Sequence, residues 1–271
     1  MRKWILLLFL GIAVPVQAQN LDNAIQELTK DVKGEIVSPA TTEELQQLFK
    51  DADETKVPRI FVDKLPSDFS QKGTGELYMY VIAALILRSN ETTIKEKMLL
   101  TLLKKKYENK EPWTEVEESF FQHLVEKYDV VINKTTQMKL DQLTIKVDEI
   151  VPGLAVAQSV YATNWGQKNM DHPYGQMGWL DENTYAEIPY DSLIKATEAY
   201  VKEMNSTNNY WMWRNTRQMA AHKGYLNLLA YNLAGNLQPY RPEDPYYSDT
   251  IQKVLINNAP LRKLHTVTFI Q

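Results

Sequence analysis

The sequence VPGLAVAQSVYATNWG, residues 151–166, is the stretch that decides the fold. Pro152 suits the first turn of a helix, where its missing N–H costs nothing, and Asp148 and Glu149 suit the positive end of the helix dipole. Apolar side chains then cover nearly the whole circumference, and a helix that is apolar on all sides is a buried one. We therefore predict a central buried helix that ends near Thr163 and whose alanines let neighbouring elements approach closely.

The flanking sequence predicts a mainly α protein of the α+β class. Upstream, the pattern indicates a long helix over 76–107 and a further helix that begins at Thr114, where Glu117 completes a capping-box pattern. Residues 57–62 favour an extended segment because Pro58 disfavours helix at the residue before it. Downstream, residues 175–179 and 184–189 flank a polar turn, which predicts a small β-hairpin lobe. Further helices are predicted over 24–30, 43–50, 192–205, 212–221, 226–233 and 247–256.

The first residues are typical of a secretory signal peptide. Arg2 and Lys3 precede an apolar stretch over 4–16, and residues 16–18 offer small side chains where a signal peptidase cleaves. The apolar run is shorter than the roughly 20 residues that a spanning helix needs. We expect a signal peptide over 1–18, export to the periplasm or cell envelope, and no membrane span after cleavage behind Ala18.

The composition sets limits on partners and cofactors. The net charge of −4 provides no basic surface, so we expect no nucleic-acid partner. The sequence has no cysteine, which excludes disulfides and thiolate metal sites. The four histidines lie far apart in sequence, so we expect no metal site and no cofactor. A polar stretch over 130–141 suggests a boundary between a helical N-terminal region, 19–135, and a C-terminal domain, 136–271.

Three segments of the C-terminal half together resemble one family. Residues 151–166 are similar to the alanine-rich helix, ending in Glu-Ser-Gly-Trp-Gly, of the bacterial Bax-type glucosaminidases. Residues 173–177 resemble the family's Asn-Leu-Phe-Gly-Gln segment, and residues 190–193 resemble its Phe-Asp-Ser run. Upstream, residues 57–60 through Phe69 and residues 87–91 resemble the N-terminal region of Bax-type proteins. The resemblance implies a lysozyme-like helical domain with a β-hairpin lobe that acts on peptidoglycan glycan strands at the N-acetylglucosaminyl bond.

The resemblance also implies a departure at the catalytic position. Glycoside hydrolysis needs a carboxylic acid that protonates the leaving oxygen, and the family's glutamate aligns with Ala162. No acidic residue occurs between Val151 and Met170, so a shifted alignment does not supply one. This predicts a degenerate enzyme that binds glycan or regulates a hydrolase. Two alternatives stay open: an active hydrolase that uses Glu187, or a water held by Gln158, and a purely structural envelope protein.

The resemblance and the many aromatic residues suggest a set of glycan-binding side chains. Sugar rings present flat C–H faces that pack on aromatic rings, so tyrosines in loops or at element ends are candidates for a groove. The alternative for any one of them is packing in the core. The predicted substrate-binding residues are Gln158, Tyr174, Gln176, Tyr190 and Tyr240.

Overall fold

The computed structural model describes residues 21–28, 32–131, 133–175, 179–180, 187–223 and 229–270. These residues are mainly helical with a small β part, as the sequence predicts. The helices are α1 Leu21–Leu28, α2 Thr42–Leu48, α3 Phe69–Lys72, α4 Gly75–Glu108, α5 Glu115–Lys127, α6 Thr136–Lys146, α7 Pro152–Thr163, α8 Leu193–Ser206, α9 Trp211–Lys223, α10 Leu229–Ala234, α11 Tyr247–Asn257 and α12 Ala259–Lys263. The strands are β1 Glu35–Val37, β2 Lys56–Val57, β3 Ile60–Val62, β4 Trp179–Leu180, β5 Glu187–Ile188 and β6 Thr268–Phe269.

Helix α4 is shared by two hydrophobic clusters. Its first half, buried over 77–86, packs into the larger cluster together with α7, α8, α10 and α11. Its second half contributes Leu99, Leu100 and Leu103 to a smaller cluster with α1, α5 and α6. The larger cluster also contains six buried side chains between Leu45 and Phe69.

The strands form three two-stranded sheets within the described ranges. The predicted hairpin is present as β4 and β5, which pair antiparallel with Trp179 opposite Ile188. The residues of its turn, 181–186, lie outside the described residues. The other two sheets are parallel: β1 pairs with β3, and β2 pairs with β6. The second of these brings the C-terminal end of the chain against residues 56–57.

Helix α7 has the position and burial that the sequence predicts. It begins with Pro152 in its first turn, and every residue over 152–160 is buried. It ends in a left-handed turn in which Asn164, Trp165 and Gly166 all have positive φ, at 49°, 62° and 78°. Trp165 packs against the start of α4, where a Cβ on Gly75 would lie 2.8 Å from the indole ring. This packing fixes the last turn of α7, which carries Ala162.

Helix α6 is an element that the sequence reading missed. The polar stretch over 130–141 predicts a boundary, but α6 begins inside it at Thr136, with the Thr135 side chain accepting a hydrogen bond from the Met138 N–H. Its Leu140 and Leu143 are fully buried in the smaller cluster. Two apolar positions three residues apart are enough to bury a short helix. Among the described helices, none combines the length and the apolar character needed to cross a bilayer.

Candidate functional site

Ala162 lies partly exposed on the last turn of α7, beside a glycine that allows a close approach. Gly175 has φ of +67°, a backbone conformation that favours glycine. A Cβ at position 175 would lie 3.2 Å from the Ala162 Cβ and 2.6 Å from Nη2 of Arg241. The methyl group and the guanidinium group therefore flank the same point in space. The carbonyl of Ala162 accepts a hydrogen bond of 3.2 Å from Asn169 Nδ2.

Arg241 is the charged group that the fold brings to this position. Its Nη2 donates a 2.7 Å hydrogen bond to the carbonyl of Gly175. Its guanidinium carbon lies 6.0 Å from the centre of the Tyr247 ring, within the range of a cation–π contact. Its ion-pair partner among the described residues is Glu243, at a long 4.0 Å from Nη1. The site therefore presents positive charge where the resemblance implies a proton-donating carboxyl.

Gln158, predicted to bind substrate or hold a water, lies fully buried one turn before Ala162. Its Nε2 donates to the hydroxyl of Tyr247 at 3.1 Å, and its Oε1 accepts from the hydroxyl of Tyr200 at 2.7 Å. Both polar atoms of the amide are thus engaged inside the protein. Because it is buried and held by two tyrosines, Gln158 acts as a packing residue behind the site and does not face a glycan in this conformation.

Tyr174 and Tyr240 are also buried, which corrects the expectation that they face an open groove. Tyr174 stacks on Tyr200 with ring centres 4.3 Å apart, and its hydroxyl is hydrogen-bonded to Thr197. Tyr240 stacks on Tyr247 at 5.7 Å and donates its hydroxyl proton to the carbonyl of Tyr174. Tyr174 lies in the loop after α7 and Tyr240 lies in the short 3-10 turn before α11, but these segments converge and enclose the rings.

The buried tyrosines remain neutral hydrogen-bonding groups. Burial raises the pKa of Tyr240 and of Tyr200 well above the usual value, and nearby phenols and Glu203 add to the effect. Glu203 accepts a 3.0 Å hydrogen bond from Tyr210, and burial raises the pKa of its carboxyl. The cluster is joined to α7 through Gln158, which is hydrogen-bonded to Tyr200 and Tyr247.

Three remaining candidates differ in how much the structure describes. Tyr190 is partly exposed, with its ring edge-on to His172 at 6.0 Å and its N–H donating to the carbonyl of Asp171. It is compatible with a position at the rim of a groove. Gln176 lies outside the described residues. The backbone of Glu187 lies in β5 opposite Leu180, and its side chain is not described.

Two residues at the site were not among the predicted site residues. Tyr161 has 41% of its surface exposed, and its ring meets that of Tyr247 edge-on at 5.8 Å. Arg241 meets Gly175 across 66 positions of the chain. No local pattern marks Arg241, because its contact with Gly175 joins two loops far apart in sequence, one after α7 and the other before α11. Within the described ranges, no three His, Asp or Glu side chains gather in a way that could hold a metal ion.

Comparisons of this chain with models of known families, with curated proteins and with solved structures found no match.

Proposed function

We propose that this chain is an exported cell-envelope protein that binds peptidoglycan glycan strands without cleaving them efficiently. The observation that carries the proposal is the guanidinium group of Arg241 beside Ala162. The resemblance in the motifs suggests the glycan, and the predicted signal peptide suggests the compartment. The absence of a carboxyl at position 162, with a cation beside it, supports binding over cleavage.

A general acid in a glycosidase works because a poorly solvated site raises its pKa, so that it is still protonated near neutral pH. Position 162 has no carboxyl, and a neighbouring cation would lower the pKa of any carboxyl there. The amide of Gln158 is engaged by Tyr200 and Tyr247, which argues against a water activated at that residue. Both features favour a surface that holds a glycan and leaves its bonds intact.

The test uses the mature chain from residue 19 and purified sacculi. Co-sedimentation measures binding, and release of reducing ends measures cleavage. We expect sedimentation with the sacculi and reducing-end release no greater than that of a no-protein blank. Robust release that Glu187→Gln abolishes would contradict the proposal and favour the alternative hydrolase. Failure of the folded protein to sediment would favour a purely structural role.

The proposed compartment has its own measurement. N-terminal sequencing of the protein from the envelope fraction is expected to begin at Gln19, directly after the small residues 16–18. A chain that keeps Met1 and stays in the membrane fraction would contradict export by a cleaved signal.

A further inference from the structure

We infer that Arg241 is a subsite for a sugar-borne carboxylate, so that the protein prefers glycan strands whose muramic acid lactyl groups are free of stem peptide. This inference rests on the proposed function and specifies its ligand. It is carried by how Arg241 is held, by how weakly its charge is neutralised, and by the exposed aromatic ring beside it.

The fold builds Arg241 into its position. The 2.7 Å hydrogen bond from Nη2 to the carbonyl of Gly175 holds one edge of the guanidinium. Because a Cβ at position 175 would lie only 2.6 Å from Nη2, this arrangement requires glycine there. The buried ring of Tyr247 lies beneath the guanidinium carbon. An arginine held in this way loses little side-chain freedom when it binds a ligand.

The charge of Arg241 is only loosely compensated by the described residues. A good arginine–carboxylate pair has N–O distances of roughly 2.7–2.9 Å and is often bidentate. Glu243 lies 4.0 Å from Nη1, and its side chain is 64% exposed. A contact of that length between exposed groups contributes little. Nη1 is thus able to take a closer carboxylate from a ligand.

An exposed aromatic ring contacts the same buried tyrosine. Tyr161 meets Tyr247 edge-on, and Arg241 approaches Tyr247 within the cation–π range. Ala162, next to Tyr161 in the chain, adds only a methyl group to the space between them. A sugar ring packed on Tyr161 would therefore direct a substituent towards the guanidinium, and no side chain at position 162 blocks it.

The planar fork of a guanidinium matches a carboxylate. Peptidoglycan offers carboxylates from two sources: the lactyl group of muramic acid after the stem peptide has been removed, and the stem peptide itself. The lactyl carboxylate is attached directly to a sugar, which fits a cation placed beside a sugar-packing tyrosine. Chitin oligosaccharides have the same N-acetylglucosamine ring and no carboxylate, so they separate ring binding from charge recognition.

The test measures the affinity of the mature protein for three soluble ligands of equal length: stripped glycan strands, strands with stem peptides, and chitin oligosaccharides. We expect stripped strands to bind about tenfold more tightly than chitin, as one charge-assisted contact would give. Arg241→Gln is expected to remove this preference and keep the weaker binding to chitin. Arg241→Lys keeps the charge without the fork and is expected to retain part of the preference.

The matched control is Lys253→Gln, which removes one exposed positive charge from α11. It should leave the affinity for all three ligands unchanged. Raising the salt concentration should erase the wild-type preference, a measurement that depends on no variant folding correctly.

Equal affinity of wild type and folded Arg241→Gln for stripped strands would overturn the inference while leaving glycan binding intact. Tighter binding of strands with stem peptides would overturn the lactyl assignment. No binding to any ligand would overturn the proposed function itself.

Discussion

Arg241 determines how a carboxyl group at position 162 would behave. The Ala162 Cβ and Nη2 of Arg241 lie 3.2 Å and 2.6 Å from the position that a Cβ on Gly175 would occupy. A glutamate side chain at position 162 would therefore begin close to the guanidinium group. An opposite charge within about 4–6 Å lowers the pKa of a carboxyl, whereas a glycosidase acid needs a raised pKa. A glutamate introduced at position 162 alone is therefore expected to be ionised where a general acid must be protonated.

We expect Ala162→Glu to release no more reducing ends from sacculi than wild type between pH 5 and 7. The double variant with Arg241→Gln lacks the cation, and the pKa of its introduced carboxyl should be higher than in the single variant. NMR titration of that carboxyl measures the difference, and Ala162→Gln controls for side-chain volume. Efficient cleavage by the single variant would show that Arg241 does not control the position.

The single variant Ala162→Glu and the double variant with Arg241→Gln should also differ in how their stability depends on pH. Because the folded-state pKa of the introduced carboxyl is lowered, its stabilising contribution is present above the unfolded pKa of about 4.3. That contribution is lost as the pH falls through the folded pKa. The melting temperature of Ala162→Glu should therefore fall more steeply below pH 5 than that of the double variant.

At the scale of elements, the sequence predicts the parts whose signals are local. Pro152 and the apolar run mark α7, Thr114 and Glu117 mark the start of α5, and both are present as expected. The parallel pairings of β1 with β3 and of β2 with β6 were not predicted, because two- and three-residue strands leave no periodic signal. The position of Arg241 was not predicted for a related reason: its contact with Gly175 joins two loops far apart in sequence.

The packing of α7 against α12 depends on the absence of a side chain at Gly153. A Cβ at this position would lie 2.4 Å from the carbonyl oxygen of Leu261 and 2.7 Å from Nδ1 of His265. The first of these is backbone and can yield only if α12 moves. We expect Gly153→Ala to lower the free energy of unfolding by about 1–3 kcal/mol, the usual cost of overpacking.

Urea denaturation measures this change, and Gly235→Ala is the matched control. At Gly235 the nearest atom to an added Cβ is Nε2 of the flexible Gln252 side chain, at 3.1 Å. The control should change the free energy of unfolding by less than about 0.5 kcal/mol. If the two substitutions have equal effects, α12 does not press on α7 as the distances indicate.

At the scale of the whole molecule, buried cations connect the two hydrophobic clusters. Arg217 is buried, and its Nη1 donates to the carbonyls of Asp148 and Glu149 and to Oδ1 of Asn205. Burial opposes ionisation of Asp148, but Arg217 and Lys97 outweigh it and lower its pKa. These contacts hold residues 148–149, which directly precede α7, against α8 and α9. Polar groups therefore fix the position of this segment.

Lys146, at the end of α6, is the clearest of these connections. Its Nζ donates to the carbonyls of Tyr128 and Asp129 after α5 at 2.8 Å each, and to that of Ser206 at the end of α8 at 2.6 Å. A cation suits the negative ends of helices. Burial lowers the pKa of Lys146 to about 8, so the ammonium group is still mostly charged at pH 7. One side chain thus joins helices of the smaller cluster to a helix of the larger.

We expect Lys146→Met to lower the free energy of unfolding at pH 7 by about 2–6 kcal/mol, because the two buried carbonyls, those of Tyr128 and Ser206, lose their donor at roughly 1–3 kcal/mol each. Hydrogen exchange should show α5 and α6 opening more easily than α7, since α7 keeps its own packing in the larger cluster.

Lys104→Met is the control. Like Lys146→Met it removes a lysine that contacts a second helix, but the contact that it removes is a surface ion pair between Lys104 of α4 and Asp141 of α6. Surface pairs contribute about 0–1 kcal/mol, so the control should stay close to wild type. If Lys146→Met leaves α5, α6 and α7 equally protected, the clusters unfold as one unit and Lys146 does not determine how they are coupled.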